Sequence, residues 1–150
     1  MEFRKNDIVT LEIVDCGTDG EGIGKADGFT VFVKDAVIGD TVTAKIMKAK
    51  KNYGYGRLME ILNASPYRVE PVCPSARQCG CQLQAVSYEE QKVFKEKKLR
   101  GHLERIGGFT NLPMEPLIGM DEPYHYRNKA QFPVGRNKEG KIVTGFYAGR

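Results

Sequence analysis

Cys73, Cys79 and Cys81 lie within nine consecutive positions of the chain. Thiolates held that close repel one another unless a cation neutralises them, so a metal is the natural partner of this loop. Zinc takes four ligands in a tetrahedron, and an iron–sulfur cluster takes four thiolates in most cases. Neither set is complete within the loop. His102 can supply a fourth ligand to zinc, although a lone histidine on a helix is more often a surface or core residue. The remaining cysteine, Cys16, stands apart and reads as a small buried residue.

A second chemistry is written between Lys45 and Arg57. Lys45, Lys48, Lys50, Lys51 and Arg57 carry five positive charges with no acid among them, and Tyr53 and Tyr55 are interleaved. Lysines neutralise phosphates and release counterions, while tyrosines offer bases a face to stack on. Phe32 lies on the polar side of its own segment and can extend such a platform. The competing reading is a solvated hairpin whose lysines serve solubility. A further basic set, Lys92, Lys95, Lys97, Lys98, Arg100 and Arg105, faces the same choice, and there the solvated reading is the stronger one. Gly20-Glu21-Gly22-Ile23-Gly24-Lys25 lacks the strand-to-helix context of a phosphate loop and reads as a turn.

The elements that must position these residues follow from periodicity. Val9, Leu11 and Ile13 alternate with polar neighbours. So do Phe29, Val31 and Val33, and then Val42, Ala44 and Ile46, with a last strand through Tyr55 to Leu62. Period-2 alternation buries one face of each strand. Turn chemistry at Gly17-Thr18-Asp19-Gly20, Asp27-Gly28 and Gly39-Asp40 separates them. Four or five such strands in residues 1–65 suit a small closed barrel, in which closure removes exposed edges. Ala64 to Pro71 reads as a connector. Ser87 with Glu90 forms a capping box at the start of one long helix, which Gly107-Gly108 ends. Its apolar stripe is thin, so it is expected to be partly exposed. Tyr126 to Val134 and Lys141 to Tyr147 are expected to form a β-hairpin around Asn137 to Gly140. Residues 66–150 therefore read as an α+β segment, and the fold class as mainly β with one long helix.

Composition bounds the partners. The 150 residues carry a net charge of only +4, with 41% hydrophobic and 28% charged residues, a mix expected of a globular protein. The total does not by itself demand a polyanion, so the distribution of charge must decide. No apolar run approaches the roughly 20 residues that span a bilayer, and the start lacks the apolar core of a signal peptide. A cytoplasmic protein is expected, where cysteines serve as ligands more often than disulfides. The last strand stops at Gly149-Arg150 without a tail, so the chain is expected to be truncated.

Cys73-Pro74, Cys79-Gly80-Cys81-Gln82-Leu83-Gln84, Ser87-Tyr88 and Gln91 resemble the cluster loop of the bacterial 23S rRNA uracil-5-methyltransferases. Gly20 to Gly24, Val31-Phe32-Val33 and Gly39-Asp40 resemble their N-terminal TRAM domain, an OB-like barrel. Tyr126-Arg127-Asn128-Lys129 and Gly145-Phe146-Tyr147 resemble the start of their central domain. The resemblance implies that Cys73, Cys79 and Cys81 hold a 4Fe–4S cluster whose fourth cysteine lies beyond Arg150. The family places two glycines between its second and third cysteines and this chain has only Gly80, a spacer that strains attachment to two irons of one cluster.

The resemblance also implies 23S ribosomal RNA as partner, with no DNA and no membrane, and a monomeric chain. Arg127 and Lys129 join the expected RNA contacts. S-adenosylmethionine, the cysteine nucleophile that would add to uracil C6 and the base that would take the C5 proton belong to a C-terminal domain. The 150 residues alone are then expected to be inactive. The alternative is a stand-alone RNA-binding barrel with a zinc-stabilised appendage.

Overall fold

The computed structural model of the chain describes residues 3–76 and 81–147. Five strands come first: β1 (Ile8–Cys16), β2 (Gly22–Ala26), β3 (Phe29–Lys34), β4 (Thr41–Ala49) and β5 (Tyr53–Asn63). They close into a barrel in the order β1-β2-β3-β5-β4, with β4 returning to β1. All pairs are antiparallel except β3 with β5, which run parallel. Leu11, Ile13, Val31, Val33, Val42, Ala44 and Ile46 fill the interior and are essentially inaccessible to solvent, as their alternation predicts.

The segment expected to be a turn at Gly20 to Lys25 is instead mostly strand: Gly22–Ala26 is β2. Its glycines hide it from a pattern reading, and the barrel explains them. A Cβ on Gly22 would sit 2.8 Å from the carbonyl oxygen of Ala36, and one on Gly24 would sit 2.7 Å from that of Glu12. Only hydrogen fits where these backbones approach. β2 and β3 are joined by Asp27-Gly28, both at positive φ (47° and 82°), the backbone of a two-residue hairpin turn that matches strand twist.

The expected connector is not a free linker. Ser65 donates its backbone N–H to Asp40 Oδ1 at 2.9 Å. Arg68 donates from Nε to Oδ1 at 3.1 Å, from Nη2 to Oδ2 at 2.5 Å, and from Nη2 to the Asp35 carbonyl at 2.9 Å. Val37 N–H completes the set on Oδ2 at 2.7 Å. Asp40 is fully buried. Burial alone would raise its pKa, but the Arg68 side chain and the two backbone donors outweigh it and hold the carboxyl below its ordinary value. Residues 67–69 then pair with residues 85–87 through Val69 N–H to Ala85 and Ser87 N–H to Tyr67. The stretch leading into the helix is thereby fastened to the barrel.

Helix α1 (Tyr88–Arg105) begins as the capping box predicts: Ser87 Oγ accepts from Glu90 N–H. It buries no residue completely, so its thin stripe gives a partly exposed helix. Gln91 ties it down by donating to the carbonyls of Leu83 and Val86 at 3.1 and 3.0 Å. The expected C-terminal hairpin exists but is far shorter than its pattern suggests, with β6 (Val134–Arg136) and β7 (Ile142–Thr144) only. Every residue of both strands is exposed, so no buried face rewards their extension.

Candidate nucleic-acid interface

The parallel pairing of β3 with β5 sets Thr30 beside Tyr53, Phe32 beside Tyr55 and Lys34 beside Arg57. On the other flank of β5, Lys48 stands opposite Tyr55 and Lys45 opposite Arg57. A bulge at Met47 shifts the register so that Lys48, rather than its neighbour, meets Tyr55. Two rows therefore cross the outer face of the barrel: Phe32, Tyr55 and Lys48 in one, Lys34, Arg57 and Lys45 in the next.

The three rings form a single cluster. Phe32 lies 5.8 Å from Tyr53 and 5.7 Å from Tyr55 between centroids, and Tyr53 lies 5.8 Å from Tyr55. Tyr53 stands edge-on to both, at 85° and 81°, while Phe32 and Tyr55 are tilted by 33°. Such edge-to-face contacts fix ring orientation. The cluster stays reachable, because Tyr53 and Tyr55 are 38% and 45% exposed. Gly54 and Gly56 alternate with the tyrosines on the buried side, where a Cβ on Gly56 would press on Val31 and Ala44 at 3.1 and 3.2 Å. The Tyr-Gly-Tyr-Gly pattern is thus a tight wall with an aromatic outer surface. Tyr53 holds the Tyr55 phenol above its ordinary pKa; a tyrosine, with an ordinary pKa of about 10, is in any case uncharged at neutral pH and does not repel phosphate.

A groove of about 400 Å³ runs from this cluster to the cysteine loop, lined by Phe32, Tyr55, Lys34 and Cys81 and also by the carboxylates of Asp19, Glu21 and Asp35. The loop is packed on the barrel turn: a Cβ on Gly20 would meet that of Gln82 at 2.8 Å. Cys73 is half-buried, with its N–H donated to Gln84 Oε1 at 2.9 Å, and its carbonyl accepts from Ala76 N–H at 3.0 Å. Cys81 is exposed. Cys79 falls outside the described residues, and among the described residues no three cysteine, histidine or acidic side chains gather as a metal site. His102 lines a different groove, between α1 and β1, together with Cys16.

Cys16 is half-buried rather than fully enclosed, and its thiol points to the Gly17 carbonyl at 3.6 Å. Burial, followed by the nearby Glu21 and Asp15 carboxylates, pushes that thiol up to about 11. It stays protonated at neutral pH and is a poor nucleophile.

The basic residues of α1 divide. Lys92 pairs with Glu89 at 2.7 Å and Arg100 with Glu104 at 3.6 Å. Lys98 reaches the barrel, donating to the Thr18 carbonyl at 3.1 Å. Half of the set is thus engaged within the protein. Arg127 and Lys129 are exposed and belong to no strand. None of the described helices is long and apolar enough to cross a membrane.

Comparison with known proteins agrees with the geometry of the barrel. The family model of the TRAM domain matches residues 3–59, the five strands almost in full. Over 148 residues, 98% of the chain, it is 48% identical to a Halalkalibacterium halodurans protein named an uncharacterized RNA methyltransferase, covering 32% of that protein. It is 47% identical over 148 residues to a Clostridium tetani protein of the same description, again covering 32% of it. A Bacillus cereus counterpart is 45% identical over 145 residues, with 31% covered. The chain spans about a third of the length of these curated relatives.

Proposed function

We propose that this chain is the RNA-recognition part of an S-adenosylmethionine-dependent RNA uracil-5-methyltransferase acting on 23S ribosomal RNA. The observation that carries the reading is the Phe32–Tyr53–Tyr55 cluster flanked by Lys45, Lys48 and Arg57 on the outer face of the barrel. Bases stack on the rings and phosphates meet the adjoining cations. The names of the relatives support methylation of RNA, and the resemblance of the cysteine loop supports uracil C5 within ribosomal RNA. In this reading the methylating chemistry belongs to a separate domain, and these 150 residues bind and orient RNA without turning it over. The thiol of Cys16, protonated at neutral pH, offers no nucleophile here.

The test is RNA affinity as a function of salt. Changing Lys48, Lys50 and Lys51 together to Ala is expected to weaken binding of single-stranded RNA. It should also flatten the log–log salt slope by roughly 2, since each lost phosphate contact on a single strand removes about 0.7. Wild-type affinity and slope in this variant would place the RNA surface elsewhere.

Cys73, Cys79 and Cys81 are, in the same proposal, three thiolate ligands of a 4Fe–4S cluster with a structural role, since methyl transfer moves no net electron. Cluster formation on this chain should be weak, with three ligands and one spacer residue. Anaerobic reconstitution is expected to give a brown, oxygen-labile product with substoichiometric iron and sulfide. One stable zinc per chain without sulfide would favour the zinc-stabilised appendage instead.

A further inference from the structure

The end of the barrel next to the aromatic cluster holds a second concentration of charge. Residues 4–7 form a tight turn: Arg4 N–H donates to Asp7 Oδ2 at 2.7 Å, Asp7 N–H to the Arg4 carbonyl at 3.2 Å, and Asn6 takes a positive φ of 79°. Asn6 N–H bonds the Ile46 carbonyl and Ile46 N–H the Asp7 carbonyl, each at 2.8 Å. The segment is therefore pinned to β4 rather than loose. On the facing hairpin, Lys50 N–H closes the turn on the Tyr53 carbonyl at 2.8 Å. Between them lies a hollow of about 660 Å³ lined by Phe3, Arg4, Lys5, Phe29, Lys50 and Lys51.

The chemistry of this hollow is one-sided. Four of its lining residues are cations, and no acidic residue lines it among the described residues. Among the described residues, the acid in the adjoining turn, Asp7, is turned back onto the Arg4 N–H. Its floor is aromatic: Phe3 and Phe29 sit 5.2 Å apart between centroids, tilted by 36°. The Phe29 ring lies over Gly54, where a Cβ would meet it at 3.0 Å, so the glycine makes room for it. Phe29 precedes the residue paired with Tyr53. It lies three residues before Phe32 on β3, about 10 Å along the strand and on the opposite, core-facing side, so the hollow opens at the barrel end rather than on the outer face that carries the cluster.

We infer that this hollow is a second subsite for the same single-stranded RNA, taking the phosphates beyond the aromatic cluster on Arg4, Lys5, Lys50 and Lys51, with a base over Phe3 and Phe29. The inference rests on the reading of the barrel as an RNA-binding module. A cation ring with an aromatic floor is the combination that binds single strands without sequence preference. Phe3 and Phe29 also pack on the core, which keeps the floor rigid.

Anisotropy titrations of the full chain with labelled uridine oligomers of two lengths test it: a short one of about four nucleotides and a longer one of about ten, within the site sizes of such barrels. Arg4 and Lys5 are exposed, so Arg4→Ala/Lys5→Ala should fold normally. It is expected to bind the short oligomer like wild type. For the long oligomer it should lose on the order of tenfold in affinity at 0.1 M salt, with the slope reduced by about 1.4 for two contacts. Phe3→Leu, which keeps the apolar packing, should weaken the long oligomer without changing the slope. Wild-type binding of the long oligomer by the Arg4/Lys5 variant, alongside a loss in a Tyr53/Tyr55 variant, would overturn the second subsite and leave the barrel's function standing. Equal losses on both oligomers would also overturn it, by showing general attraction. Failure of the wild-type chain to bind either oligomer would overturn both readings.

Discussion

Replacing Arg68 by Ala is expected to destabilise the chain by about 3–5 kcal/mol, because it leaves the Asp40 carboxylate buried without its charge partner. The pair hydrogen-bonds the chain after the barrel to a carboxylate buried within the barrel. Its pH dependence separates a lost ion pair from a lost packing contact. In the wild type the Asp40 pKa is lowered, so its contribution is fully present above the ordinary carboxylate value of about 3.9. That contribution is lost as pH falls through the folded value. Without Arg68 the desolvation that opposes ionisation gains weight, so the deficit should shrink on going from pH 7 toward pH 4, where protonation removes the buried charge. Urea unfolding followed by circular dichroism at the two pH values reads both effects. A deficit below 1 kcal/mol at pH 7, or one that grows in acid, would mean that water or another cation replaces Arg68.

The largest effect on binding is expected from the rings. Tyr53→Ala/Tyr55→Ala should weaken single-stranded RNA binding by roughly a hundredfold, since base–aromatic stacking contributes about 1–3 kcal/mol per base. The salt slope should barely change, because stacking releases no counterion, and that distinguishes this variant from the lysine variants. Both side chains lie on the outer face of β5, so the thermal midpoint serves as a folding control. Tyr53→Phe/Tyr55→Phe should retain most of the affinity. Affinity unchanged in the alanine variant would remove the aromatic cluster from the RNA surface.

Much of the barrel is legible in the sequence because local alternation carries it. Leu11, Ile13, Val31, Val33, Val42, Ala44 and Ile46 alternate in the chain and are the core in the fold. Lys48, Tyr53, Tyr55 and Arg57 declare themselves by type and proximity, and the capping box of Ser87 with Glu90 reads correctly from four residues. What escaped was non-local or carried by glycine. β2 has hydrogen where a strand normally shows its apolar pattern, so Gly22 and Gly24 concealed it. The Arg68–Asp40 bond joins residues 28 positions apart, and nothing in the local sequence of the connector announces it. Nothing in the local sequence singles out Arg4 and Lys5; the backbone pins at Asn6 and Ile46 bring them to the hairpin. The C-terminal hairpin shows the opposite error: its alternation promised long strands, but alternation extends a strand only where a second surface covers one face.

The parallel seam between β3 and β5 also bears on how the chain must fold as it is synthesised. β1, β2 and β3 can assemble as a meander as they leave the ribosome, and β4 can add to β1. At that stage β3 and β4 each present an unpaired edge, and Val31, Val33 and Ala44 face a half-built interior. Only β5 covers both edges, pairing with β3 through Tyr53 to Arg57 and with β4 along most of its length. The nascent barrel is therefore an open, adhesive sheet until the strand bearing the two tyrosines emerges, and exposed edges of that kind template pairing with other chains. The strand that carries the recognition surface is also the stave that seals the barrel, so a nascent chain stalled before Tyr53 lacks both its binding face and its protection from aggregation.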